Sequence, residues 1–99
     1  MTHQLNRQDQ ELLCIVGEVL HYIWDPIGVA GVPQARDEYD DYVGPVFTLL
    51  RSGASDADIS AYLEQIVVNR MGLPDRKERS NEAASVLTDW RDYQAQVAA

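Results

Sequence analysis

Four side chains that can ligate a metal or transfer a proton recur along the first quarter of the sequence. Cys14, Glu18, His21 and Asp25 are separated by four, three and four positions, a spacing that aligns them on one stripe of a helix. A zinc site needs tetrahedral convergence from more than one element, and one straight helix cannot wrap four ligands around an ion. We therefore predict a solvated polar stripe opposite the apolar face, with no metal, and leave open that it forms half of an interface.

A second cluster consists of carboxylates alone: Asp37, Glu38, Asp40 and Asp41, within the run "ARDEYDDYVGPV". Clustered carboxylates can bind a divalent cation or complement a basic protein, but "DEYDD" lacks the alternate spacing around a glycine of an EF-hand loop. Acids in the first turn of a helix stabilise it by about 0.3–1 kcal/mol each, which explains the first two acids better than the last two. We expect the four acids, with Asp25 beside the loop, to bind a partner.

Aromatic side chains lie beside these acids. Trp24, Tyr39 and Tyr42 are of the types that anchor protein interfaces, although their periodicity favours packing in the core. Val68 points away from the apolar face of its predicted helix, which leaves open a second contact surface or a single exposed apolar residue.

Hydrophobic periodicity predicts the elements that position these residues: helices over residues 7–24, 34–52, 56–71 and 75–97. Asn6 is the expected N-cap of the first helix, and Ser55 with Asp58 forms a capping box for the third. No stretch alternates with period two, so the predicted fold is all-α, a compact bundle of about four helices in one domain spanning residues 1–99.

Glycine and proline mark two irregular points in this bundle. The segment "PIGVAGVP", residues 26–33, is apolar rather than polar, which predicts an ordered loop packed on the core after the first helix. Pro45 lies inside the second helix and removes a backbone hydrogen bond, which predicts a kink or restart at Gly44–Pro45. The buried face of the last helix is predicted to include Trp90 and Tyr93.

Composition limits the classes of partner. Sixteen acids against eight Lys and Arg give the 99-residue chain a net charge of −8, which repels phosphate backbones and attracts basic surfaces. Direct nucleic-acid binding is therefore not expected. The single cysteine, the lack of a signal-peptide pattern at the N-terminus and the shortness of every apolar run predict a cytoplasmic protein without a membrane segment.

No phosphate-binding glycine loop and no nucleophile elbow occurs in the sequence. We expect no enzymatic activity and no cofactor. A small hydrolase or a metal-dependent enzyme would require ligands from several helices to converge.

Residues 24–73 carry a family resemblance. The run "WDPIGV", followed by "DEYDDYVGPVFTLLRSGAS" and "MGL", resembles a family of small acidic bacterial proteins. Some members of such families resemble immunity proteins encoded beside contact-dependent growth-inhibition or other polymorphic toxins. The resemblance implies a cytoplasmic helical protein, and for the immunity-like members a stoichiometric inhibitor. It assigns no catalytic residue.

Charge and resemblance together favour an immunity protein, or antitoxin, whose acidic surface occludes the basic active-site cleft of a nuclease toxin. The alternative is a housekeeping protein–protein interaction module without a toxin partner, or a homodimer formed through the stripe of the first helix or through Val68. The oligomeric state stays open.

Overall fold

A computed structural model describes residues 5–98, and within them the chain forms four α-helices and no strand. The helices are α1 (Arg7–Val19), α2 (Asp40–Arg51), α3 (Asp56–Gln65) and α4 (Lys77–Ala98). Wider π-helical turns extend α1 over Leu20–Trp24 and α3 over Ile66–Arg70, and a short 3-10 turn covers Pro33–Ala35. The predicted all-α bundle is confirmed.

Side-chain caps fix the starts of α1 and α3. The Asn6 carboxamide oxygen accepts a hydrogen bond from the Asp9 amide at 2.8 Å. Ser55 and Asp58 exchange reciprocal bonds between side chain and backbone, each at 3.2 Å. Both pairs satisfy amides that have no partner inside the helix, so the predicted starts of these two helices are confirmed.

The second helix starts six residues later than predicted. Residues 36–39 form turns, and Tyr39, with φ −105° and ψ 11°, is the residue before α2. Asp40 and Asp41 therefore occupy the first turn of α2, while Asp37 and Glu38 precede it. The sequence argument that helix-end stabilisation explains Asp37 and Glu38 better than Asp40 and Asp41 is therefore wrong. The later pair, not the earlier one, lies in the first turn of the helix. The predicted restart at Gly44–Pro45 is wrong, because α2 is one helix from Asp40 to Arg51 with Pro45 inside it; the kink at that point stays a prediction.

The core is built from apolar side chains of all four helices, and α4 packs against the other three. Trp24 is fully buried, with the Tyr39 ring centroid at 5.3 Å and the Tyr42 ring centroid at 5.9 Å. The predicted packing role of these three aromatics is confirmed. The fully buried large apolar residues are Leu12, Val16, Leu20, Trp24, Val46, Leu50, Ile59, Leu63, Val67 and Leu87.

The prediction for α4 is wrong at two positions. Trp90 and Tyr93 are 44% and 55% exposed, whereas Thr88 and Gln94 are buried. The Thr88 hydroxyl donates to the Asp56 carboxylate at 2.5 Å, and the Gln94 amide group donates to the Gln8 carbonyl at 3.0 Å. Because each polar group has a hydrogen-bond partner on another helix, its burial carries little penalty. The side of α4 that bears Thr88 and Gln94 therefore faces the other helices.

Among the described residues, none of the helices combines the length and the hydrophobicity that crossing a bilayer requires.

Candidate functional site

The Asp25 carboxylate organises the loop between α1 and α2. Asp25 has a left-handed backbone, with φ 36° and ψ 60°, a conformation that aspartate tolerates better than most residues. Its side chain accepts hydrogen bonds from the Val29 amide at 2.7 Å and the Ala30 amide at 3.1 Å. The Tyr39 hydroxyl donates to the same carboxylate at 2.7 Å. The predicted ordered loop is therefore closed by a single anionic group.

Tyr39 connects this loop to the start of α2. Its hydroxyl oxygen also accepts a hydrogen bond from the Ile27 amide at 3.2 Å. Burial raises the pKa of Asp25, but the hydrogen bonds from Tyr39 and from the two loop amides outweigh it, so the pKa lies below its usual value. Burial and the Asp25 contact raise the pKa of Tyr39. At neutral pH the pair is thus an anion and a neutral hydroxyl.

Arg79 of α4 and Arg76, the residue immediately before α4, fix the beginning of the same loop. The Arg76 guanidinium donates to the Pro26 carbonyl at 3.2 Å, and the Arg79 guanidinium donates to the Ile23 carbonyl at 3.2 Å. These bonds satisfy carbonyls where the π turn ends. The loop is therefore held from both sides, by the two arginines at the start of α4 and by Tyr39.

Four carboxylates project from the segment that this loop positions, and we call them the acidic face: Asp37, Glu38, Asp40 and Asp41. All four are exposed, as predicted. Within residues 5–98 none of the four carboxylates forms a side-chain hydrogen bond or an ion pair. Among the described residues, the acidic face is therefore a negative surface without a side-chain counter-charge.

Arg36 immediately precedes this face in the sequence, but its side chain is directed to α1. Arg36 forms an ion pair with Glu18 of α1, and its guanidinium carbon lies 5.2 Å from the centroid of the Tyr22 ring. Arg36 and Glu18, with Asp37 and Asp40, border an open depression of about 450 Å³. The arginine is thus committed to α1, and the carboxylates beside it stay available to an external cation or basic side chain.

The predicted stripe of α1 is not a single solvated surface. Cys14 and Glu18 are exposed, but His21 is only 3% exposed. The amide of Asp25 bonds to the Leu20 carbonyl, five residues earlier, at 3.0 Å. This wider turn changes the direction of the residues after Val19 relative to a regular helix, so the prediction that His21 is solvated is wrong. Within the described part of the chain, no group of three or more His, Cys, Asp or Glu is arranged to hold a metal.

Asp25 is separate from the acidic face in its contacts. Three hydrogen bonds from the loop and from Tyr39 already use its carboxylate. Its predicted role in binding a partner stays a prediction, and its contribution inside the fold is to hold the segment that carries the other four acids.

An apolar groove between α1 and α4 was missed at the sequence level. Its volume is about 400 Å³, and a neighbouring depression bordered by Val86, Asp89, Trp90 and Tyr93 continues it along α4. We call the two together the α1–α4 groove. The signal was present in the spacing of Val86, Trp90 and Tyr93, but the sequence predicts Trp90 and Tyr93 to lie on the buried face. The apolar lining of its main part is Ile15, Val19, Tyr22, Ile23, Val86 and Trp90.

The groove and the acidic face adjoin. Glu18 borders both the groove and the depression that contains Asp37 and Asp40. An apolar centre with a charged edge is the usual composition of a protein–protein interface.

Comparisons with protein-family models, with curated proteins and with solved structures find no match to this chain. The family resemblance of residues 24–73 therefore stays a prediction, and the case for a function rests on the surface just described.

Proposed function

We propose that this protein is an immunity protein that neutralises a toxin, a nuclease, by covering its basic active-site cleft with the acidic face. One observation carries the proposal. Four exposed carboxylates lie within five consecutive positions, and none has a side-chain partner in the described chain.

Folding alone does not account for all four acids. Asp40 and Asp41 lie in the first turn of α2, where negative charge is favourable. Asp37 and Glu38 lie in the preceding turns, outside the helix that would benefit from them. Adjacent like charges repel, so a partner that supplies the opposite charge is the physical reason that fits this pair.

A nuclease cleft supplies that charge. Such a cleft must present Lys or Arg to phosphates, and an inhibitor of net charge −8 is steered towards it. Steered protein pairs associate at up to about 10⁸–10⁹ M⁻¹s⁻¹ at low salt, against about 10⁵–10⁶ M⁻¹s⁻¹ for neutral pairs. The loop held by Asp25 and Tyr39 presents the acids in a fixed position, which reduces the ordering cost of binding.

The test compares two charge reversals of equal size. Asp37→Lys with Glu38→Lys removes half of the acidic face, while Asp75→Lys with Glu78→Lys changes the net charge by the same amount near the start of α4. The partner to use is a basic domain from a secreted protein encoded immediately upstream in the native genome. Growth of cells expressing that domain measures protection, and stopped-flow mixing at low and moderate salt measures association.

We expect the variant with Asp37→Lys and Glu38→Lys to lose protection. Its association rate constant at low salt should fall by a factor of about ten or more, and should depend less on salt concentration. The control variant should protect the cells, because steering by net charge alone is a smaller effect than a lost contact. Equal behaviour of the two variants would show that the acidic face is not the inhibitory surface. An upstream domain that does not bind the wild-type chain at either salt concentration would refute the immunity function itself.

The alternative, an interaction module without a toxin, is favoured by a different observation, the exposed aromatic side chains of the α1–α4 groove. Salt dependence separates the two functions. Association driven by the acidic face weakens as the salt concentration rises, whereas association driven by apolar contact is nearly independent of it.

A further inference from the structure

We propose that the α1–α4 groove docks an amphipathic helix of a basic partner, with the apolar side chains of that helix in the groove and Lys or Arg along its edges. The inference goes beyond the proposed function, because it assigns a second surface and requires only that the partner be basic, whatever its activity.

The first argument is the type of side chain that folding leaves outside the core. Tyr22, Trp90 and Tyr93 are 53%, 44% and 55% exposed, and the Trp90 and Tyr93 rings pack edge-to-face with centroids 5.8 Å apart. Tryptophan and tyrosine are the residues most enriched where binding energy concentrates. An adjoining set of such residues on so small a chain indicates an interaction site rather than scattered exposed residues.

The second argument is shape. Val86, Trp90, Tyr93 and Val97 follow one another on α4 at intervals of four, three and four positions, which aligns them on one face of the helix. The α4 residues that line the groove run from Val86 to Tyr93, over which the helix rises about 10 Å, two turns. A groove of that length accommodates about two turns of the side-chain ridge of a third helix.

The third argument, charge, selects the occupant. Among the described residues that line the groove, the charged ones are Glu18 and Asp89. Glu18 is already paired with Arg36, whose guanidinium also lies over the Tyr22 ring, so the charge that remains for a partner is that of Asp89. Asp89 forms no ion pair within the described residues, and neither does Glu82, which lies one turn before Val86. A second copy of this chain would bring a net charge of −8 against the same carboxylates, so a basic helix is the complementary occupant.

The test uses a synthetic amphipathic peptide of leucine and lysine, about 14 residues or four helical turns long, with the leucines on one face. Calorimetric titration into the full chain measures the dissociation constant. A peptide with glutamate in place of every lysine tests the charge. Trp90→Ala removes the central aromatic of the groove, and Val68→Ala is the matched control, since Val68 is an apolar residue on α3's π turn that is 45% exposed.

We expect the lysine peptide to bind, Trp90→Ala to raise its dissociation constant about tenfold or more, and Val68→Ala to leave it unchanged. The glutamate peptide should bind at least tenfold more weakly than the lysine peptide. Circular dichroism checks that Trp90→Ala is folded, and Tyr93→Ala takes its place if it is not.

Three results would overturn the inference: no binding of the lysine peptide, equal dissociation constants for Trp90→Ala and Val68→Ala, or equal binding of the two peptides. Sedimentation velocity supplies a fourth, because a dimer of the free chain that Trp90→Ala dissociates would make a second copy the occupant. None of these results depends on a toxin, so failure of this inference and failure of the proposed function are distinguishable.

Discussion

The carboxylate of Asp25 accepts more of the hydrogen bonds that order the loop than any other side chain. Replacing Asp25 therefore gives the sharpest test of the fold. Asp25 accepts two backbone amides and the Tyr39 hydroxyl, and its own backbone is left-handed, with φ 36°. The variants Asp25→Asn, Asp25→Gly and Asp25→Ala separate these two roles. Asparagine keeps the backbone preference and one acceptor oxygen, glycine keeps only the backbone freedom, and alanine keeps neither.

The magnitudes follow from the contacts. A hydrogen bond contributes about 1 kcal/mol net to stability, so losing all three in Asp25→Gly should lower the free energy of unfolding by about 3 kcal/mol. Glycine increases this loss by about 0.5–1 kcal/mol, because it raises the entropy of the unfolded chain. Alanine instead increases it by about 1–2 kcal/mol, because its side chain disfavours the left-handed backbone. We expect losses of about 1–2 kcal/mol for asparagine, about 3.5–4 kcal/mol for glycine and about 4–5 kcal/mol for alanine.

Urea unfolding followed by circular dichroism measures these differences. Small domains have only about 5–15 kcal/mol of stability in total, so alanine should produce a large fall in the midpoint. A free energy of unfolding for Asp25→Ala within about 0.5 kcal/mol of the wild type would refute the structural role of Asp25. An alanine variant more stable than the glycine variant would refute the argument from the left-handed backbone.

Three further outcomes are expected. Trp24→Ala should lower the free energy of unfolding by about 3–5 kcal/mol, because Trp24 is fully buried; an unchanged urea midpoint would contradict this. The pKa of Asp25 is lowered in the folded state, so its stabilising contribution is present above the unfolded value of about 3.9 and is lost as the pH falls through the folded pKa. Tyr39→Phe removes one of the lowering hydrogen bonds and should move acid unfolding, followed by circular dichroism, to higher pH; an unmoved midpoint would count against the linkage. Asp40→Lys with Asp41→Lys places positive charge in the first turn of α2 and should lower the free energy of unfolding by about 1–2 kcal/mol. Reversing Asp37 and Glu38, which precede the helix, should lower it by less than about 0.5 kcal/mol. Equal losses would contradict the observed helix start.

The parts of the fold that depend on neighbouring residues were predictable from the sequence. Asn6 and Ser55 begin their helices because their side chains bond to amides three residues later. Gly72, with φ 66°, ends the third helix as its place before Leu73 and Pro74 indicates. Such signals lie within a few positions of one another, so no knowledge of the tertiary structure is needed to interpret them.

The parts that depend on distant contacts were not predictable. The late start of α2 accompanies the Tyr39–Asp25 hydrogen bond, which joins residues 14 positions apart. The burial of His21 depends on a π turn, which a single extra residue produces and which periodicity does not reveal. The inward face of α4 is set by Thr88 and Gln94 finding partners in other elements.

The candidate site divides in the same way. The exposure of the acidic face was predicted, because acids rarely lie in a core without a partner. The α1–α4 groove was not, because Trp90 and Tyr93 are apolar at helical spacing and that pattern alone does not distinguish a core face from a docking face.

The two tryptophans of the chain lie in opposite environments, so intrinsic tryptophan fluorescence reports on two different parts of the protein. Trp24 is fully enclosed beside two tyrosine rings, whereas Trp90 is 44% exposed on α4. Indole emission shifts to the red in contact with water, so the spectrum of the native chain is the sum of a blue component from the core and a redder one from the surface. Unfolding changes the first component most, and occupation of the α1–α4 groove changes only the second. Folding and binding can therefore be followed separately in one cuvette, without a label.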